Sequence, residues 1–243
     1  MKTLKQTLLA SAGVIVVTGS VYAADLPLKA AGPMMLPVSN WTGPYIGAHV
    51  GAGSYQNTCR VAGISAFGYN CSGGDNTDFG RDISFVGGVQ AGYDWQDRYF
   101  VYGVAADWSW TGLKTKTFGN SGSLSHTSKV NWLASFRGRA GLAVDTTLLY
   151  VTGGVAIGHF KDEVLQGISG GGVSFSDTLV GWVAGVGVEH RFNRNWSVAL
   201  EYLHYDFGTN NRTYSTVNSG GSSYNHDFTH VVDAVRVGLN YRW

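Results

Sequence analysis

The last nine residues of the chain, Val235 to Trp243, alternate strictly between apolar and polar side chains and end on an aromatic residue. Successive side chains of an extended strand point to opposite faces, so this pattern predicts a strand with one apolar and one polar face. About eight segments of the chain share this period of two. That number is typical of a small β-barrel whose apolar side faces lipid and whose polar side faces inward.

The alternation predicts where each strand runs and which way its side chains point. On the fourth strand, for example, Val130 and Trp132 are expected to face outward with the other apolar residues. The predicted strands cover residues 41–54, 84–96, 99–111, 128–143, 148–158, 178–190, 196–207 and 229–243.

The beginning of the chain has the pattern of an exported protein. Two lysines precede an apolar run from Leu8 to Val17, and small residues follow up to Ala23. These features predict a secretory signal peptide, since a retained membrane helix would need about 20 apolar residues. The next segment contains prolines without alternation, which predicts a flexible periplasmic lead-in. We therefore divide the chain into a signal peptide, a periplasmic segment and an outer-membrane β-barrel: residues 1–23, 24–40 and 41–243.

Short and long connections alternate between the predicted strands. Three of them are short: residues 97–98, 144–147 and 191–195. Four are long and polar: residues 55–83, 112–127, 159–177 and 208–228. Such an alternation is typical of outer-membrane barrels, which have short periplasmic turns and long extracellular loops. A soluble barrel would place its apolar residues inside instead.

Charged residues fall on the face opposite the aromatic ones. With 17 basic and 16 acidic residues the chain is nearly neutral, which gives no indication of a nucleic-acid partner. An eight-stranded barrel is only wide enough for side chains to fill it, and buried charges must be paired. We therefore expect an ion-pair network that plugs the lumen, with a charge-lined small pore as the alternative. The predicted lumen charges are Asp94, Asp107, Arg137, Arg139, Glu189, Glu201, Arg236 and Arg242.

The only two cysteines, Cys59 and Cys71, both follow the predicted signal peptide. In an oxidising periplasm they are expected to form a disulfide in the first extracellular loop, which would stabilise the fold by roughly 3 kcal/mol. A metal site would need further soft ligands nearby, and we predict none.

Four motifs in the order of the chain resemble a known family. They are Ala24-Asp25-Leu26-Pro27, the stretch from Asn40 to Gly47, the stretch from Tyr150 to Ala156, and the stretch from Val235 to Tyr241. They are similar to the small major outer-membrane proteins of alphaproteobacteria, the 25/31-kilodalton family of Brucella, Bartonella and the rhizobia. The chain differs from that pattern in two places: it ends in Trp243, where Phe is commoner, and carries Pro44, where many relatives have Phe.

The resemblance implies an eight-stranded OmpA-like barrel that the outer-membrane assembly machinery inserts into the cell outer membrane. Outer-membrane lipid and lipopolysaccharide are then its expected partners, with host or phage contacts possible through the loops. The expected function is a structural and surface-display role. A small porin-like pore and surface hemin binding are the alternatives.

Hemin binding is considered because some members of the similar family bind it, and histidine is a suitable ligand of haem iron. His226 and His230, expected near the loops and on one strand face, are the candidate ligands. No other cofactor is expected. We also expect no enzymatic activity: the stretch His126-Thr127-Ser128 is similar to the motif of lipid A deacylases, but strand four offers no acid beside it.

Overall fold

The computed structural model describes residues 39–62, 77–78, 82–118, 124–166, 172–215 and 223–243. Within these ranges the chain forms β1 (Gly43–Ala62), β2 (Thr77–Asp78), β3 (Asp82–Asp97), β4 (Phe100–Thr111), β5 (Lys114–Phe118), β6 (Leu124–Val144), β7 (Thr147–Gln166), β8 (Gly172–Arg191), β9 (Trp196–Ser215) and β10 (Ser223–Arg242). In the same ranges, no helix combines the length and the apolar character needed to span a membrane.

The strands form a closed antiparallel barrel. The long strands pair in chain order, and β10 returns to pair with β1, with Arg242 opposite Tyr45. The short strand β2 pairs with β1 beyond the end of β3, and β5 pairs with β6 beyond the end of β4. In the wall, β2 therefore continues the position of β3, and β5 continues the position of β4. The ten described strands thus occupy eight positions around the barrel. The predicted eight-stranded antiparallel barrel is confirmed.

The two faces of the wall follow the alternation of the sequence. On β4, exposed and buried residues alternate from Phe100 to Trp110 without interruption. On β10, Val235 and Val237 are about half exposed, whereas Arg236 is almost completely buried. The apolar side chains therefore cover the outside, where lipid can surround them, and the polar ones point into the lumen.

Tight turns join the strands at one end of the barrel, here called the turn end. Residues 98–99, 145–146 and 192–195 make these turns, within a residue or so of the prediction. Arg98 and Asp145 have positive φ angles of 55° and 54°, as the first residue of a tight hairpin turn can require. We call the opposite end the loop end.

At the loop end the strands are longer than predicted. β7 continues to Gln166 and β8 begins at Gly172, so much of the expected loop between them is strand. The same holds for β9 and β10, which reach Ser215 and begin at Ser223. The prediction was wrong there because strand residues near the loop end are as polar as loop residues.

Two bulges interrupt the register near the loop end. Asn131 is an extra residue between Val130, opposite Phe160, and Trp132, opposite His159. The bulge reverses which side chains of β6 face inward, so Val130 is buried in the lumen and the prediction that it faces outward was wrong. On β9, Phe207 and Gly208 together face a single residue of β10, and Gly208 takes the left-handed conformation that glycine allows.

Several predictions concern residues outside the described ranges. They are the signal peptide, residues 24–38 of the periplasmic segment, and the disulfide, because Cys71 lies outside them and the side chain of Cys59 is likewise not described. Ser39 and Asn40, the last two residues of the segment predicted as a lead-in, do lie within them. Both accept hydrogen bonds from Arg191 in the wall.

Candidate functional site

All eight charged side chains predicted to face inward lie buried in the lumen. They form two groups, each with two carboxylates and two guanidinium groups. The upper tetrad, nearer the loop end, consists of Asp107, Arg137, Glu201 and Arg236. The lower tetrad, nearer the turn end, consists of Asp94, Arg139, Glu189 and Arg242.

In the upper tetrad each arginine bridges both carboxylates. Arg137 places Nη2 at 3.0 Å from Asp107 Oδ1 and Nη1 at 3.4 Å from Glu201 Oε1. Arg236 places Nη1 at 3.2 Å from Asp107 Oδ2 and Nη2 at 2.8 Å from Glu201 Oε2. These four side chains come from β4, β6, β9 and β10, so the tetrad connects opposite parts of the wall.

The lower tetrad repeats this arrangement. Arg139 places Nε at 2.8 Å from Asp94 Oδ1 and Nη2 at 3.0 Å from Glu189 Oε2. Arg242 places Nη2 at 2.6 Å from Asp94 Oδ2 and 3.4 Å from Glu189 Oε1. Each tetrad is electrically neutral, as buried charges need to be.

Neutral polar groups donate further hydrogen bonds to three of the lumen carboxylates. Ser135 donates to Asp107 at 2.6 Å, and Tyr150 donates to Glu201 at 2.7 Å. Asn240 donates to Glu189 at 3.0 Å. Because a buried carboxylate loses the hydrogen bonds of water, these donors offset part of its desolvation.

A glycine makes room for the lower tetrad. Gly103 lies between Asp94 on one neighbouring strand and Arg139 on the other. A Cβ atom at this position would overlap Oδ1 of Asp94. The missing side chain therefore allows the carboxylate and the guanidinium group to meet across β4.

Trp41 closes the lumen at the turn end. Its side chain is completely buried, and the guanidinium groups of Arg191 and Arg242 lie 5.2 Å and 5.0 Å from its ring centre. Arg242 also donates to the Trp41 carbonyl at 3.0 Å. The backbone N–H of Trp41 donates to the side-chain oxygen of Gln96 at 2.6 Å. Trp41, two residues ahead of β1, is thus fixed as a plug beneath the lower tetrad.

An apolar cluster fills the lumen on the other side of the tetrads. Phe160 and Phe207 meet edge to face with ring centres 5.0 Å apart, and Tyr55 lies 6.0 Å from Phe160. Sequence reasoning missed this cluster, although the inward alternation of β7 continues to Phe160 past the predicted strand end. The apolar plug consists of Tyr55, Val86, Leu113, Val130, Leu133, Ala156, Phe160, Val183, Leu203, Tyr205, Phe207, Val232 and Ala234.

His230 lies on a strand near the loop end as predicted, but its side chain belongs to this interior and not to the surface at which it was expected to bind hemin. It is 3% exposed, and its Nδ1 lies 2.6 Å from the hydroxyl of Tyr55. The Tyr55 hydroxyl also lies 2.9 Å from that of Ser128. His226 pairs through β10 with Val61, but its side chain is outside the described set. Hemin at the cell surface therefore could not reach His230 without opening the barrel.

From end to end, the lumen contains Trp41, the lower tetrad, the upper tetrad and the apolar plug. Every layer consists of buried side chains that contact one another, so the arrangement is suited to holding the wall together. Among the described residues, no three histidine, cysteine or acidic side chains are grouped as a metal site would require.

Comparison with known proteins identifies the barrel. The sequence matches the outer membrane protein β-barrel domain over residues 13–242. The chain belongs to this outer-membrane family. The 31 kDa outer-membrane immunogenic protein of Brucella melitensis is 31% identical, with 99% of this chain and 100% of that protein aligned. The 22 kDa outer membrane protein of Rhizobium leguminosarum is 30% identical over 91% of this chain and 83% of its own.

Solved outer-membrane barrels share the fold at low identity. OprG of Pseudomonas aeruginosa has a TM-score of 0.51 and 10% identity, covering 84% of this chain and 99% of its own. The outer membrane protease OmpT of Escherichia coli has a TM-score of 0.50 and 8% identity, covering 83% and 97%. At such identity these structures show the fold alone. The family match and the sequence relatives show that the chain is an outer-membrane protein, and in such barrels the turn end faces the periplasm.

Proposed function

We propose that this outer-membrane protein has a structural and surface-display role: a closed barrel that holds its loops outside the cell. The observation that carries the proposal is the filling of the lumen at every level, from Trp41 through both tetrads to the apolar plug. A rigid, filled barrel is a stable anchor, whereas a solute pore needs a continuous column of water.

The runner-up function, a small porin-like pore, is disfavoured by the pairing of the lumen charges. Charges that guide ions through a pore face water and have capacity to bind them. Here each carboxylate contacts both arginines of its tetrad, and the apolar plug adds a layer with few groups that could replace the hydration of an ion.

Surface display is supported by the names of relatives. The Brucella proteins of 31 and 25 kDa are called outer-membrane immunogenic proteins. On an intact cell, the regions that antibodies reach are those outside the membrane. In a barrel of this orientation those regions are the connections at the loop end.

Planar-bilayer recordings of the purified protein test the proposal. We expect currents that are small and rare, because buried side chains in contact with one another fill the lumen. The variant R137A/E201A/F160A removes one ion pair and one plug ring while keeping the charge balanced, and its conductance should rise. The matched control is Phe136→Ala, since Phe136 is 62% exposed on the outer wall and its loss should leave conductance unchanged.

Large and stable open-channel currents from the wild-type protein would contradict the closed lumen and favour the pore. Equal currents from the lumen variant and the outer-wall control would show that these side chains do not limit conduction.

A further inference from the structure

The lysines of the described chain are confined to one sector of the barrel wall. All four, Lys114, Lys116, Lys129 and Lys161, lie on β5, β6 and β7 near the loop end. Lys114 pairs directly with Lys129, and Lys129 pairs directly with Lys161. These three residues, here called the lysine row, therefore sit side by side across three adjacent strands.

The lysine row faces outward. Its neighbours along the strands, Leu113, Ser128, Val130 and Phe160, are buried in the lumen, so the lysines point to the opposite side. The side chains of Lys129 and Lys161 are 40% and 41% exposed, and Lys114 is exposed as well. The amino groups are thus accessible from the surroundings of the barrel.

Directly below the row lies a band of aromatic residues on the same outer face. Trp110 pairs with Trp132, and Trp132 pairs with His159. The rings of Trp132 and His159 stack with their centres 5.8 Å apart. The bulge at Asn131 is what puts Lys129 and Trp132 on one face. Tryptophan and tyrosine mark the boundary between hydrocarbon and headgroups in membrane proteins, so the lysine row lies at the headgroup level.

Like charges in directly opposite positions destabilise a sheet, and here two such pairs adjoin. Glu163 partly compensates them, with its carboxylate 2.9 Å from Lys161 Nζ and 3.6 Å from Lys129 Nζ. The hydrogen bond from Lys161, with the charge of Lys129, lowers the pKa of Glu163, which therefore stays ionised at neutral pH. Three positive charges against one negative charge leave the row able to bind an anion.

Two outward-facing carboxylates lie on the other side of the wall. Asp206 is on β9 and Asp233 is on β10, and Asp233 accepts hydrogen bonds from Tyr202 and, when Nδ1 carries the proton, from His204. These two side chains would repel an anion, whereas the lysine row attracts one.

We propose that the lysine row binds the phosphate groups of a phosphorylated glycolipid of the outer leaflet, the lipid A part of lipopolysaccharide. Lysine is a suitable point charge for phosphate, and acyl chains can lie along the tryptophans directly below. The inference goes beyond the proposed structural role, because the lumen can be closed whether or not the wall holds a particular lipid.

The test measures retention of lipid A by the purified, folded protein in detergent. The probes are bisphosphorylated lipid A and the same lipid after removal of its phosphates. We expect the variant K114Q/K129Q/K161Q to bind bisphosphorylated lipid A at least about tenfold more weakly than the wild type, since each lysine contributes to attraction of an anionic headgroup. Glu163→Gln should bind it more tightly, a change of sign that a general loss of structure would not produce.

The control is Arg194→Gln, which removes an exposed positive charge at the turn end and should leave binding unchanged. Equal binding by the wild type and the triple variant, or equal binding of the two lipids, would overturn the proposal. Inorganic phosphate should fail to displace the lipid at millimolar concentration; displacement would indicate a site for free phosphate instead. Conductance is measured separately, so failure here is distinguishable from failure of the closed-lumen proposal.

Discussion

At the scale of single residues, each lumen carboxylate is buried and contacts two arginines. Glu201 contacts Arg137 and Arg236 and accepts a hydrogen bond from Tyr150. Glu163 also contacts two cations, but at the surface. The two glutamates therefore form a natural pair for measuring what burial adds to an ion pair.

We expect Glu201→Gln to lower the free energy of unfolding by about 3–5 kcal/mol, because it leaves a net positive charge in the buried lumen. Glu163→Gln should change it little, since water screens exposed pairs. Urea unfolding in lipid vesicles measures both. Adding Arg137→Gln to Glu201→Gln restores the charge balance and should recover part of the loss. Equal losses for the two single variants would contradict the buried-pair account.

At the scale of elements, the tight turns are the places where backbone conformation limits the sequence. Asp145 adopts a positive φ, which aspartate tolerates and which a β-branched residue strongly resists. Its neighbour Thr146 is not in that conformation and is suited to β-branched residues. In the hairpin between β6 and β7, a position that resists β-branched residues, Asp145, is therefore followed by one that accepts them, Thr146.

We expect Asp145→Val to destabilise the barrel by about 1–2 kcal/mol through this backbone strain, and Thr146→Val to have little effect. The temperature at which the folded, fast-migrating band is lost on gels compares the two. A greater loss for Thr146→Val would refute the conformational argument.

Features within a single strand or turn could be predicted from the sequence, whereas features that depend on contacts between strands could not. The alternating faces of β4 and β10 and the positions of the three turns depend on local chemistry, and they were predicted within a residue or so. Val130 was assigned to the wrong face because the Asn131 bulge depends on the partner strand. The apolar plug and the pairing within each tetrad could not be predicted, because they bring together side chains from strands far apart in the sequence.

At the scale of the whole molecule, closure leaves no long strand without two neighbours. Every opening of the wall must then break a row of backbone hydrogen bonds together with the tetrads that cross the lumen. We expect the unheated protein to migrate faster in sodium dodecyl sulfate gels than the boiled protein, and to give a β-rich circular dichroism spectrum in detergent. A helical spectrum, or identical migration, would contradict the closed barrel.

The seam of the barrel also sets a condition on assembly. β1 is the first barrel strand in the chain, yet its second neighbour is β10, the last one. Trp41 likewise contacts Arg242, 201 positions later in the chain. Until the two ends of the chain meet, β1 has an exposed edge, and exposed edges invite pairing with other chains. The unassembled protein therefore depends on being kept apart from its own copies until the barrel closes.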